Sequence, residues 1–159
     1  TIGYRDGGPM GGGLPSDSDG APTFMGRAMK DPDAANLDQV QIIKGWIDEQ
    51  GETHEQIYYV ALSDHRNVDP ETGLPEPVGS TVDLKNVTFT NTIGAVQLSA
   101  QWTDPEFDAA QAAFYYGRAI EIPRPRWSEH DRKAFGMDFK DAPRIVQDRA
   151  YSSPIWYRP

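Results

Sequence analysis

Between residues 23 and 127, apolar and polar side chains alternate in short runs set apart by turn residues. Residues 95–102 give the cleanest alternation: Val96, Leu98, Ala100 and Trp102 fall on one face, Gln97, Ser99 and Gln101 on the other. Successive side chains of an extended chain point to opposite faces, so this run reads as a strand with one buried face and one wet face. Residues 23–29 and 37–47 are further strand candidates. In the second run Val40, Ile42 and Trp46 share one face, and Ile43 and Ile47 the other. The turn Gln50-Gly51-Glu52 leads into residues 55–62, where Ile57, Tyr59 and Ala61 alternate with Tyr58, Val60 and Leu62, so both faces are suited to cover. Residues 114–122 divide into Phe114, Tyr116, Arg118, Ile120 and Ile122 against Tyr115, Gly117, Ala119 and Glu121. Aromatic and β-branched residues in such numbers mark a strand with a face in a core. Pro123 and Pro125 then end its ladder, since neither offers an N–H.

Residues 81–90 also carry the strand pattern, and residues 104–111 predict a short helical turn. Residues 63–80 form a polar excursion with three prolines, best read as a loop. Strand-like runs at this spacing, with turns between them, predict a mainly β chain, an antiparallel immunoglobulin-like β-sandwich over residues 23–127. Before it, residues 1–22 are rich in glycine and proline and read as an arm, with Met10 and Leu14 as its anchoring residues. After it, residues 128–159 predict a short helical tail and a final extended segment packing on the sandwich. Ser128 followed by Asp131 is an acceptable helix start, and residues 142–151 suit a second short helix.

Composition narrows the function classes. With 15 basic and 24 acidic residues the formal charge is −9, which argues against nucleic acid as a partner, because phosphate needs a basic footprint. Arg124, Arg126, Arg132 and Lys133 are interleaved with Glu121, Glu129 and Asp131, so they read as a mixed solvated face. No apolar run is long enough to cross a bilayer as a helix. The chain has no cysteine, which rules out disulfides and thiolate metal sites but leaves the compartment open, exported or periplasmic locations included. Oligomeric state is not legible.

Candidate chemistry is thin. His54, His65 and His130 stand far apart and in no ligand spacing. Asp31, Asp33, Asn36 and Asp38 offer several oxygens within eight residues and are the metal candidates, calcium being the ion they would suit. Their spacing is not that of an EF-hand, and Asp and Asn also start turns by bonding their own backbone. The glycine-rich stretch of residues 7–13 is followed by Asp17-Ser18-Asp19-Gly20, not by the helix start and lysine that a phosphate loop uses. No Gly-x-Ser-x-Gly elbow occurs, and paired carboxylates are too common in this chain to discriminate. Trp127, Trp156 and Tyr157 stand out as a contact surface, either for another domain or for carbohydrate.

Several segments together resemble the bacterial domain of unknown function 3604 family. They are Pro9-Met10-Gly11-Gly12, residues 27–38 (Arg-Ala-Met-Lys-Asp-Pro-Asp-Ala-Ala-Asn-Leu-Asp), Gln41-Ile42-Ile43-Lys44-Gly45-Trp46, and Asn91-Thr92-Ile93-Gly94-Ala95. The likeness continues in Trp102-Thr103-Asp104-Pro105-Glu106-Phe107-Asp108, Phe114-Tyr115-Tyr116, Glu121-Ile122-Pro123-Arg124-Pro125-Arg126-Trp127 and Ser153-Pro154-Ile155-Trp156-Tyr157. Gly13 stands where the family often has aspartate, and Ala34 where it often has glycine. The resemblance implies a relation to metal-dependent hydrolases of the polymerase-and-histidinol-phosphatase (PHP) type, whose metal ligands lie mostly in an N-terminal barrel. No Asp-x-His-x-His segment occurs here. The resemblance therefore implies an accessory domain downstream of a catalytic barrel, with no catalytic residue or cofactor of its own, the divalent metal held by the parent, and the upstream domain of the same polypeptide as its partner.

Overall fold

The computed structural model describes residues 7–15 and 20–159. The Asp17–Asp19 part of the acidic turn lies outside the described residues. Nine strands and one helix follow in chain order: β1 (Thr23–Met29), β2 (Leu37–Ile47), β3 (Thr53–Leu62), β4 (Gln97–Thr103), β5 (Ala113–Glu121), β6 (Arg124–Pro125), α1 (Trp127–Phe135), β7 (Ile145–Val146), β8 (Arg149–Tyr151) and β9 (Ile155–Tyr157). The large sheet has the order β3-β2-β5, and β8 and β9 share the outer edge of β5; β1 and β4 form a second sheet of two strands. All of these pairings are antiparallel. The expected antiparallel β-sandwich is present, but it is lopsided.

The facing surfaces follow from the register. Val40, Ala119 and Ala150 are cross-strand neighbours, as are Ile42, Gly117 and Tyr58, and as are Lys44, Tyr115 and Ile155. This inner face meets the alternate residues Phe24, Gly26 and Ala28 of β1 and Leu98, Ala100 and Trp102 of β4. Ile42, Ala113, Tyr115 and Tyr157 are buried there, with Leu14, Phe24, Trp46, Val60, Trp102 and Phe107 packed around them. A large apolar side chain fully buried there, such as Ile42, contributes roughly 1.5–3 kcal/mol. An aromatic chain runs through the layer: Tyr58 on Trp102 at 4.5 Å, Trp102 on Phe24 at 5.9 Å, Phe24 on Tyr115 at 4.6 Å.

The two sheets meet closely on one flank only. β4 lies against β3 and β2, and β1 against β2, whereas β5 and β8 extend beyond β1. On the closed flank the turn after β4 is tied down by a buried ionic network. Lys44 Nζ meets Asp104 Oδ2 at 2.7 Å and donates to the Glu106 carbonyl, also at 2.7 Å. The Tyr115 hydroxyl donates to Asp104 Oδ2, and the Tyr58 hydroxyl to Glu106 Oε2.

A second packed region closes the end of the sheet. Ala35, Leu37, Val87 and Ile122 are buried there. α1 is fastened through Glu129, which accepts from Arg144 at 2.6 Å and from Arg132 at 3.1 Å, so that first Arg144 and then Arg132 holds its carboxyl below the usual range. Gly136 in the left-handed region stops the helix. Val87 also has a positive φ, +56°, which is costly for a β-branched residue, and its burial between the mutual Asp83–Thr88 backbone bonds holds it there.

Four local expectations differ from the structure. Residues 81–90 form a turn with the single Asp83–Thr88 bridge, because Asp83 Oδ1 accepts the Lys85 and Asn86 amides and curls the chain. Residues 104–111 form turns, not a helical turn. No second helix occurs at 142–151; β7 and β8 take those residues as edge partners of β6 and β5. α1 begins two residues early, at Trp127, with Arg126 and not Ser128 in the capping position and no side-chain cap, while Ser128 Oγ is buried without a partner. The final extended segment lies within the large sheet, as β9. In the arm, Gly13 bridges Trp156 in parallel and Leu14 reaches the core, whereas Met10 is exposed.

Candidate functional site

The outer face of the large sheet gathers the other set of alternate residues. Cross-strand neighbours there are Gly45, Phe114 and Trp156, then Ile43, Tyr116 and Ile57, then Gln41, Arg118 and Tyr151. No second sheet covers this face among the described residues, yet Ile43 is 0% exposed. Its cover is a skin of rings. Trp156 contacts Phe114 at 5.4 Å, Phe114 lies nearly parallel to Tyr116 at 6.3 Å, and Tyr116 contacts Tyr151 at 6.2 Å. Gly45 makes room for this, since a Cβ there would run into the Phe114 ring. Arg118 Nε donates to Gln41 Oε1 at 2.6 Å, which fixes a guanidinium beside the rings with no carboxylate partner among the described residues. Trp156 and Tyr151 remain exposed at the two ends. Such a surface can stack against planar or apolar partners and offers one cation for an acceptor.

The three aromatic contact candidates do not come together. Trp156 belongs to this face. Tyr157, its neighbour in β9, points the other way and is 2% exposed, its hydroxyl donating to the Ala109 carbonyl. Tyr157 is therefore a core residue. Trp127 is exposed on α1, against Phe139 at 6.0 Å and beneath Arg126.

Asp31, Asn36 and Asp38 are engaged within the protein, whereas Asp33 is exposed and contributes its backbone amide. Asp31 Oδ1 accepts the Asp33 amide, the bond of a turn-starting aspartate. Asn36 Nδ2 donates to the carbonyls of Asn91 and Ile93, and its Oδ1 is buried without a partner. Asp38 pairs with Arg66 at 2.5 Å and accepts from Gln147. A register irregularity between Leu37 and Gln39 separates Asp38 from its neighbours in the ladder. His54 stacks on Trp46 and pairs with Asp48 at 2.7 Å, and His65 and His130 are exposed. Among the described residues no three His, Asp or Glu side chains form a group able to hold a metal ion.

Two features escaped sequence reasoning. The Lys44–Asp104 network is sealed, with burial and then the Asp104 hydrogen bond pushing the Tyr115 hydroxyl far above its usual value, so it serves as a structural tie. The ring skin had a legible signal: Arg118 among Phe114, Tyr116 and Ile120 marks a face reaching water, since a lone arginine is seldom fully buried. No curated protein and no solved structure matches the chain. A family model described as protein of unknown function (DUF3604) matches residues 1–159, and the chain belongs to that family.

Proposed function

We propose that the chain is a non-catalytic accessory β-sandwich of a bacterial polypeptide, placed after a PHP-like metallohydrolase barrel and packed on it through the aromatic outer face. The carrying observation is the ring skin itself: Trp156, Phe114, Tyr116 and Tyr151 with Arg118 have the composition of a protein interface, rich in aromatic residues and arginine. A divalent metal would belong to the barrel. The test compares this chain with a longer polypeptide carrying the upstream segment, using p-nitrophenyl phosphate and manganese. The reading expects turnover only from the longer form, and loss of compactness between its parts in Trp156→Ser/Tyr151→Ser. Chelator-sensitive turnover by this chain alone would sink it.

The same exposed rings support a second reading, an independent carbohydrate-binding module. A glycan array separates the two, because binding by this chain that Trp156→Ala abolishes favours the sugar. The calcium alternative rests on Asp31, Asp33, Asn36 and Asp38 and predicts heat on calorimetric titration with calcium, lost in Asp33→Ala.

A further inference from the structure

The open flank of the sandwich holds a cleft of about 760 Å³ between β1 and the projecting strands β5 and β8, within the size range of ligand clefts. Its floor is made of small residues, Gly117, Ala119 and Ala150, and its rim carries Met10, Met25 and Met29. These methionines are 67%, 82% and 65% exposed. Methionine is flexible and polarizable, which suits a surface that moulds itself to an apolar guest.

β1 supplies the edge. Lys30 donates its N–H to Val96, and Pro22 accepts from Asp104, so even-numbered residues of β1 direct their backbone toward β4. By alternation, the N–H and C=O groups of Met25, Arg27 and Met29 point into the cleft, where β1 has no partner strand among the described residues. Edge strands are normally blunted by charge, proline or cover, and β1 carries Arg27 as its one charge. Among the described residues Arg27 bonds the neutral Gln97 amide and no carboxylate.

We propose that β1 is a strand-addition site for an extended peptide that places apolar side chains over Gly117 and Ala119 and an acidic residue opposite Arg27. The geometry favours a lone strand over a second copy of this chain. The large sheet projects two strands past β1, about 9–10 Å, and a partner's own β5 and β8 would meet that shelf before its β1 reached the edge. Backbone pairing would supply affinity, and the floor and Arg27 the choice of sequence. The cleft borders the aromatic face, with Tyr116, Arg118 and Tyr151 also in its lining, but the proposal does not rest on the accessory reading.

Panning a displayed library of seven-residue peptides on the immobilised chain tests it, with affinities of the enriched peptides read by fluorescence anisotropy. Alternating apolar and acidic peptides are the expected winners. Filling the floor with Ala119→Leu should weaken them about tenfold or more at unchanged melting temperature, a difference of about 1.4 kcal/mol. Arg27→Glu should weaken them up to about fivefold, the scale of one cross-strand charge pair, and turn the preference toward basic peptides. If Ala119→Leu lowers the melting temperature, Gly117→Ala carries the test, since its Cβ would meet nothing closer than Ser152 Oγ at 3.6 Å. No enrichment, affinities indifferent to both positions, or a dimer in ultracentrifugation whose formation Met25→Pro abolishes would each overturn the proposal.

Discussion

The closed and open flanks of the sandwich are built on the same two strands, β2 and β5, but finish differently. On the closed flank, β4 and the turn after it reach Lys44, Tyr58 and Tyr115, and every charged or hydroxyl group in the network has a partner. On the open flank the inner face of β5 continues past Tyr115 into Gly117 and Ala119, and no strand covers them among the described residues. One flank spends its residues on stability; the other leaves small side chains and a free edge. The difference lies in the residues after position 115, since β5 itself is continuous through both.

The largest effect should come from cutting the closed flank. Asp104→Ala strands the Lys44 ammonium in the core and should cost about 3–5 kcal/mol in urea unfolding. Lys44→Met/Asp104→Asn, which removes both charges, should recover much of that loss. Retention of near wild-type stability by Asp104→Ala would show that the network contributes little.

A matched pair of glycines sharpens the comparison. Gly45→Ala forces the Phe114 ring out of its place between Trp156 and Tyr116 and should destabilise by about 1–2 kcal/mol. Gly117→Ala on the open floor meets only ordinary contacts, so it should fall within about 0.5 kcal/mol of neutral or stabilise slightly. Equal costs at both sites would mean that the cleft is filled.

Alkaline pH gives a smaller, graded effect. Burial raises the Tyr115 hydroxyl, and burial with the Glu106 bond raises that of Tyr58. For a group whose folded value is raised, the stabilisation is complete below the unfolded value, about 10 for tyrosine, and is lost as pH climbs above it. The urea midpoint should therefore hold level from about pH 8 to 10 and fall beyond. The slope should reach at most about 1.4 kcal/mol per pH unit for Tyr115 and flatten in Tyr115→Phe. An unchanged slope in that variant would detach the alkaline loss from this residue.

How much of this was legible depended on the length and regularity of each segment. The run that became β4 alternates over seven residues, long enough for a period of two to show. β7, β8 and β9 have two or three residues, too few to carry any period, and residues 142–151 instead resembled a helix. Trp156 and Tyr157 were grouped because they are adjacent, although adjacency in a strand sends two side chains to opposite faces. The spacing of Asp31, Asp33, Asn36 and Asp38 suggested one ligand set, but Asp38 turns to Arg66 and Asn36 to the 91–94 loop. Lys44 and Asp104 lie too far apart in sequence for any local pattern to join them. That the second sheet stops at two strands could not be read at all, because no strand pattern states how many neighbours it has.

Amide hydrogen exchange along β1 in the free chain tests the open flank most directly. The amides of Gly26 and Ala28, bonded to β4, should be protected, whereas those of Met25, Arg27 and Met29 should exchange close to the unfolded rate while Ile43 and Tyr115 stay slow. Equal protection of odd and even residues in β1 would mean that its outer edge is already paired, and the sandwich would have no open flank.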